Sequence, residues 1–234
     1  MPQTALNLIA IGIFVMTLTI LLGPLLNISP IIPAATTFGI LSLATVDTLA
    51  WRSRGVSLLL DLFASAEQRQ RIVHHEAGHF LTAYFLGIPI TGYTLSTWEV
   101  IKQGQLGRGG VGFETESLMT EPYDLDKMRL TLDRFCTVWM AGVAAEKIVY
   151  GNDQGGIEDR QQLQTALKLA GLPEAAYLMK ERWAKIQATN LLERYQKSYQ
   201  ALVTAMEKRA SVEECCQAIQ QYCHDEELVA KNSK

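Results

Sequence analysis

At 234 residues, with 48% hydrophobic and 19% charged content and a formal net charge of −3, the chain has room for one domain of about 100 to 200 residues plus a further segment. No basic cluster occurs beyond Arg52 and Arg54, which excludes the electrostatic footprint of a nucleic-acid binder. The cysteines Cys136, Cys215, Cys216 and Cys223 form no CxxC pair and read as reduced thiols of a reducing compartment. A metal cluster of Cys215, Cys216, Cys223 and His224 is disfavoured, because adjacent Cys215 and Cys216 point to different faces of a helix.

The further segment comes first. From Thr4 to Leu26 no charge interrupts a run rich in Leu, Ile and Val, a length that suits one bilayer-spanning helix of about 20 residues. A second uncharged run, Ile28 to Val46, follows the short turn Asn27 to Pro33. Pro30, Pro33 and Asp47 weaken it as a span, so an interfacial or buried helix competes with a second crossing. The first run lacks a preceding Lys or Arg and exceeds the apolar core of a secretory signal. Arg52 and Arg54 place the large C-terminal part on the cytoplasmic side, or its organellar (stromal) equivalent. The expectation is a two-helix transmembrane anchor over residues 1–54 and a separate domain over residues 55–234.

Val56 to Phe63 is a short apolar run that either lies along the bilayer surface or opens the second domain. A helix is expected from Ala66 to Leu86, ended by Gly87 and Pro89. Ile90 to Val100 has strand-like density of Thr, Tyr, Ile and Trp, and Gly104 to Gly112 is glycine-rich, which together predict a small strand and hairpin region. Apolar residues recur at helical spacing from Tyr123 to Tyr150, and Gly151 closes that run. The loop Gly151 to Gly156 leads into a helix from Glu158 to Leu169. Two or three amphipathic helices are expected over Pro173 to Val229, then a frayed tail. The fold class is therefore mainly α with a small β region.

His75-Glu76-Ala77-Gly78-His79 places two imidazoles at i and i+4 on one helix face, a spacing that chelates one Zn²⁺. Glu76, beside the first ligand, is held near the metal without binding it, and suits a general base acting on a water whose pKa the metal lowers to about 7. Gly78 inside a helix costs about 1 kcal/mol relative to Ala, which close approach of another element would explain. His74 lies off the metal-facing stripe. A catalytic zinc site needs a third protein ligand, and by chemistry Glu146, Asp153, Glu158 and Asp159 are all candidates that spacing does not rank.

Val73 to Leu86, then Gly142-Val143-Ala144-Ala145-Glu146 ahead of Gly151, then Gly155-Gly156-Ile157-Glu158-Asp159-Arg160-Gln161-Gln162, resemble the protease domain of the FtsH family of membrane-bound zinc proteases, peptidase family M41. The resemblance runs over residues 66 to 230. It implies an HExxH helix, a short strand region and a GxAAE helix. Its third zinc ligand is the aspartate of Gly-Ala-x-x-Asp-Leu-Gln-Gln, which falls on Asp159; Glu146 is then a structural carboxylate or one that supports a ligand. The chain departs from that pattern with Gly156 in place of Ala and Arg160 in place of Leu. FtsH proteases also carry an ATPase module with a Gly-x-x-x-x-Gly-Lys-Thr loop between membrane and protease, whereas here residues 52–70 separate the apolar runs from the site and no such loop occurs. In this the chain is similar to the ATPase-lacking M41-like proteins of cyanobacteria and chloroplasts.

The expected function is that of an ATP-independent, membrane-anchored zinc metalloendopeptidase acting on flexible or unfolded membrane-associated polypeptides. Ile90 to Trp98 is a candidate edge strand for an extended peptide, and Gly107-Arg108-Gly109-Gly110 a loop beside it. The competing reading is a non-proteolytic scaffold or assembly factor that docks to a membrane complex or to FtsH proteases. An intramembrane protease is disfavoured by Arg69, Gln70 and Arg71 just ahead of the motif. M41 relatives form hexamers, largely through the ATPase module, so a monomer or small oligomer is expected as readily.

Overall fold

A computed structural model describes residues 3–23, 25, 29, 31–50, 55, 64–102, 109–114 and 125–232. In chain order the elements are α1 (Gln3–Leu22), α2 (Ile31–Ala50), α3 (Ala66–Leu86), β1 (Ile90–Thr94), α4 (Thr97–Lys102), β2 (Gly110–Phe113), α5 (Leu125–Tyr150), α6 (Ile157–Leu169), a short 3-10 turn (Glu174–Ala176), α7 (Tyr177–Arg194), α8 (Gln196–Glu207) and α9 (Val212–Asn232). The chain divides into two units, one of residues 1–66 with 96–109 and one of residues 67–95 with 110–234. The mainly helical fold class follows the apolar periodicity, with one two-stranded antiparallel sheet among the described residues.

In the first unit, α1 and α2 carry no charge until Asp47. Pro33 falls in the first turn of α2, where its missing N–H has no helical partner to lose. The hydroxyls of Thr17, Thr36, Thr37 and Thr45 each donate to the carbonyl four residues earlier, at 2.7–2.8 Å. Asp47 accepts the Gly55 N–H at 2.8 Å. Side chains of α1 are described from Ala10 onward, and among the described residues no helix is long and apolar enough to cross a membrane. The described helices therefore lend no support to the expectation of two spans.

The second unit is a helical bundle around α3. One core packs Phe80 and Leu81 of α3 with Ala144 of α5, Leu192 of α7, Leu202 of α8 and Ile219 of α9. The other packs Phe135 and Met140 of α5 with Leu163 and Leu167 of α6 and Ala184 of α7. Gly78 lies where α3 meets α5: a Cβ there would stand 2.6 Å from the Ala141 carbonyl oxygen and 2.8 Å from Ala145 Cβ. The cost of a mid-helix glycine is therefore balanced by a helix crossing too close for any side chain.

Several boundaries differ from the sequence expectation. The strand stops at Thr94, and Trp98 and Val100 lie in α4. The reason is a cap: Ser96 Oγ accepts the Glu99 N–H at 3.3 Å, and Ser96-Thr97-Trp98-Glu99 has the residue order of a capping box, which outweighs the β-branched and aromatic content. α6 begins one residue earlier, at Ile157, and α9 continues to Asn232 where a frayed tail was expected. Its start is fixed by a reciprocal cap in which Ser211 N–H donates to Glu214 Oε2 at 2.7 Å and Glu214 N–H to Ser211 Oγ at 3.2 Å. The run Val56–Phe63, the start of the helix expected from Tyr123, and positions 107 and 108 of the glycine-rich loop lie outside the described residues.

Candidate metal centre

α3 sets the site by its period. Arg71, His75 and His79 recur every four residues and so share one face; Arg71 is 8% and His79 5% exposed. The face is pressed against α5, where the His75 imidazole fills the space of an absent side chain: a Cβ at Gly142 would fall 2.4 Å from His75 Nε2. α6 brings Asp159 in from the other side. One ligand atom each from His75, His79 and Asp159 lies within 4.8 Å of the others. Asp159 Oδ2 is 3.1 Å from His75 Nε2, and Asp159 Oδ1 is 3.5 Å from His79 Nε2.

The remaining ring nitrogens are occupied. His75 Nδ1 lies 2.7 Å from Glu146 Oε1, and His79 Nδ1 lies 2.7 Å from the Val138 carbonyl oxygen. Both acceptors take an N–H from Nδ1, so Nε2 is the atom each ring turns toward Asp159; there it shares a proton with the carboxylate, and it offers a lone pair to a metal once that proton is lost. Two neutral imidazoles and one carboxylate are a donor set for catalytic zinc with a fourth position open. A tetrahedral ion with bonds near 2.0 to 2.2 Å keeps its donors roughly 3.4 Å apart; the two imidazole-to-carboxylate separations, made to different Asp159 oxygens, are 3.1 and 3.5 Å, and ligand atoms taken one per residue lie within 4.8 Å of one another. The residues fit zinc.

Glu146 is 2% exposed and belongs to the surroundings of the triad. Besides His75 it takes hydrogen bonds from Arg71 Nη1 at 3.0 Å and from the backbone N–H groups of Gln154 and Gly155 at 2.8 and 3.2 Å. Burial opposes its ionisation, but His75, the Gln154 N–H and Arg71 outweigh that and hold its pKa down to about 2. Burial likewise disfavours a charged His75, yet its hydrogen bonds to Asp159 and Glu146 push it up to about 10. Asp159 is held below the usual carboxylate range by His79 and His75 against the effect of burial.

Glu76 stands apart from the triad. Its Oε2 accepts the Val111 N–H of β2 at 3.0 Å. Burial raises its pKa, with His79 and His75 pulling the other way, which moves a carboxylate toward the range where a general base works. The other acidic candidates are placed elsewhere: Glu158 is exposed, and Asp153 pairs with Arg160 Nη2 at 2.7 Å. His74 is buried, with Nδ1 2.9 Å from the Tyr199 hydroxyl, a packing role that agrees with its place off the metal-facing stripe. The cysteines are free, and Cys136 and Cys215 are buried.

No family model matches the chain. It is similar to ATP-dependent zinc metalloprotease FtsH 1 of Methylacidiphilum infernorum, at 32% identity over 105 residues, 44% of this chain and 15% of that protein. The chain thus spans about 15% of the length of the curated relative it matches. The similarity supports a relationship to the FtsH proteases over that stretch, and it accords with a His/His/Asp cluster that allows a metalloprotease.

The sequence reading used Arg71 only as a charge against an intramembrane site, and it gave no role at the centre to Arg71, Asn152 or the backbone groups of Val111, Val138, Gln154 and Gly155. Arg71 carried a signal, since it precedes His75 by four residues just as His75 precedes His79. Backbone donors and acceptors carry none, because every residue type supplies them.

Proposed function

We propose that the chain is a membrane-anchored zinc metallopeptidase that hydrolyses peptide bonds of flexible or unfolded membrane-associated polypeptides without ATP. The observation that carries this reading is the convergence of His75, His79 and Asp159, with ligand atoms within 4.8 Å, beside a glutamate of the same helix that does not join them. In it, His75, His79 and Asp159 hold the metal, and Glu76 is the general base. A bound zinc ion supplies Lewis acidity, which brings the ionisation of water into the neutral range and polarises a carbonyl. With Oε2 tied to the Val111 N–H, Glu76 offers Oε1 to take a proton from the attacking water and return it to the leaving amine nitrogen. The carbonyl of Val138 and the carboxylate of Glu146 keep both imidazoles in the tautomer that presents Nε2. An extended substrate adds to an edge of the β1–β2 sheet by main-chain hydrogen bonds.

Anchoring is supported by the uncharged runs Thr4–Leu26 and Ile28–Val46 and by apolar side chains such as Phe14, Leu21, Phe38 and Leu43, each at least 65% exposed. Arg52 and Arg54 favour a cytoplasmic or stromal peptidase domain. Independence from ATP is supported by the 15 residues, 51–65, between α2 and α3, far fewer than the roughly 50 a separate domain needs.

Detergent, and not alkaline carbonate, is expected to release the protein from membranes. The purified protein and Glu76→Gln are both expected to carry about one zinc per chain, and the wild type alone to cleave casein without ATP, the variant being slower by at least about 100-fold. Zinc in both with cleavage by neither would instead favour a scaffold that docks to a membrane complex or to FtsH proteases.

A further inference from the structure

Arg71 occupies the one face of α3 that a surface arginine has no reason to take. It is 8% exposed, its guanidinium carbon lies 4.2 Å from the centre of the Tyr150 ring, and its Nη1 reaches three oxygens. These are Glu146 Oε2 and Asn152 Oδ1, both at 3.0 Å, and the Asn152 carbonyl at 3.3 Å. The Asn152 contacts tie α3 to the loop that follows Tyr150, the same loop whose Gln154 and Gly155 N–H groups grip Glu146.

A buried arginine–carboxylate pair is poor evidence of a stabilising device, because apolar residues of similar volume often serve stability as well. Its geometry fixes something else. Glu146 has two oxygens with divided tasks: Oε2 is held by Arg71 and by Gln154, and Oε1 points at His75 Nδ1. The planar guanidinium, clamped by Tyr150 and Asn152, fixes the carboxylate's rotation, and the carboxylate in turn fixes the imidazole's rotation and tautomer. We infer that Arg71 is a positioning residue of the metal centre, acting on zinc affinity through Glu146 and His75 while touching neither the metal nor the substrate. This role rests on the proposed reading of the triad as a zinc site.

The test measures Zn²⁺ affinity by chelator competition on the full chain in detergent, after metal removal, for the wild type, Arg71→Met, Arg71→Lys and Leu202→Val. Leu202 is fully buried in the bundle core and serves as a variant that loses packing without touching Glu146. Arg71→Met is expected to bind Zn²⁺ about 10- to 100-fold more weakly, the loss typical of removing an outer partner of a metal ligand. Arg71→Lys, which keeps a charge but loses the guanidinium that lies over Tyr150, is expected to fall between the two, and it carries the test if Arg71→Met does not fold. Leu202→Val is expected to match the wild type. Affinity in Arg71→Met and Arg71→Lys within about twofold of the wild type overturns the inference and leaves the zinc site standing. An equal loss in Leu202→Val also overturns it, by showing a response to general loosening. A wild type that takes up no Zn²⁺ removes the metal centre itself, and Arg71's role with it.

Discussion

Gly156 caps the start of α6 with φ +81°, and a Cβ there would fall 2.2 Å from Val143 Cγ2. Its departure from the alanine of the FtsH pattern thus has a local cause, since left-handed backbone and a buried valine both exclude a side chain. Arg160, the neighbouring departure, reaches Asp153 at 2.7 Å, Glu181 at 2.9 Å and the Gly155 carbonyl at 3.4 Å. It pins the 151–156 loop to α7 beside Asp159. Gly156→Ala is expected to lower unfolding free energy by about 1–3 kcal/mol through strain and overpacking, read from a denaturant titration of the zinc-free protein. An unchanged midpoint would mean that α6 can shift its first turn freely.

At the scale of elements, the site depends on how closely α3 lies on α5. Both histidines sit within one turn of Gly78, and any side chain at 78 meets the Ala141 backbone, which cannot move without moving Gly142 and the His75 ring. Gly78→Ala is expected to cost about 1–3 kcal/mol from overpacking and to release zinc faster than the wild type does. The second effect separates a displaced helix from mere destabilisation. Tm and metal-release rates on one preparation check both; a lower Tm with wild-type release would show that the ligands ride with α3 as a rigid body. The boundaries of α3 were legible from Gly87 and Pro89, which stop a helix by backbone chemistry alone. Those of β1 were misjudged because Ser96 and Glu99 formed a cap inside a strand-like composition.

For the whole molecule, the ion pairs of the site predict how stability varies with pH once a chelator has removed metal. His75 is raised from 6.5 to about 10, so its contribution is full below about pH 6.5 and is lost as pH rises through about 10. Glu146 is lowered from 4.5 to about 2, so its contribution is present above about pH 4.5 and is lost as pH falls toward 2. Glu76, raised by burial, adds to the loss as pH rises. Tm of the stripped protein is therefore expected to be highest between about pH 4.5 and 6.5 and to decline toward pH 10. Saturating zinc is expected to flatten the alkaline decline, because metal binding requires deprotonated imidazoles and stabilises the folded state that holds it. Melting curves with EDTA and with zinc across that range test this, and parallel slopes would contradict it.

By itself the sequence determined what depends on neighbours along the chain. The four-residue spacing put His75 and His79 on one face, glycines and prolines marked where helices end, and apolar periodicity set a mainly helical fold. Chemistry alone left the third ligand open among four acidic residues, and resemblance to a family was needed to favour Asp159. Tertiary structure decided what depends on contacts across many residues: Asp159 brought 84 positions along the chain to His75, Glu146 turned to its Nδ1 from 71 positions away, and Arg71 closed onto that carboxylate. Such placements follow from how helices pack, a property of the whole set of buried side chains, and no short stretch of sequence encodes them.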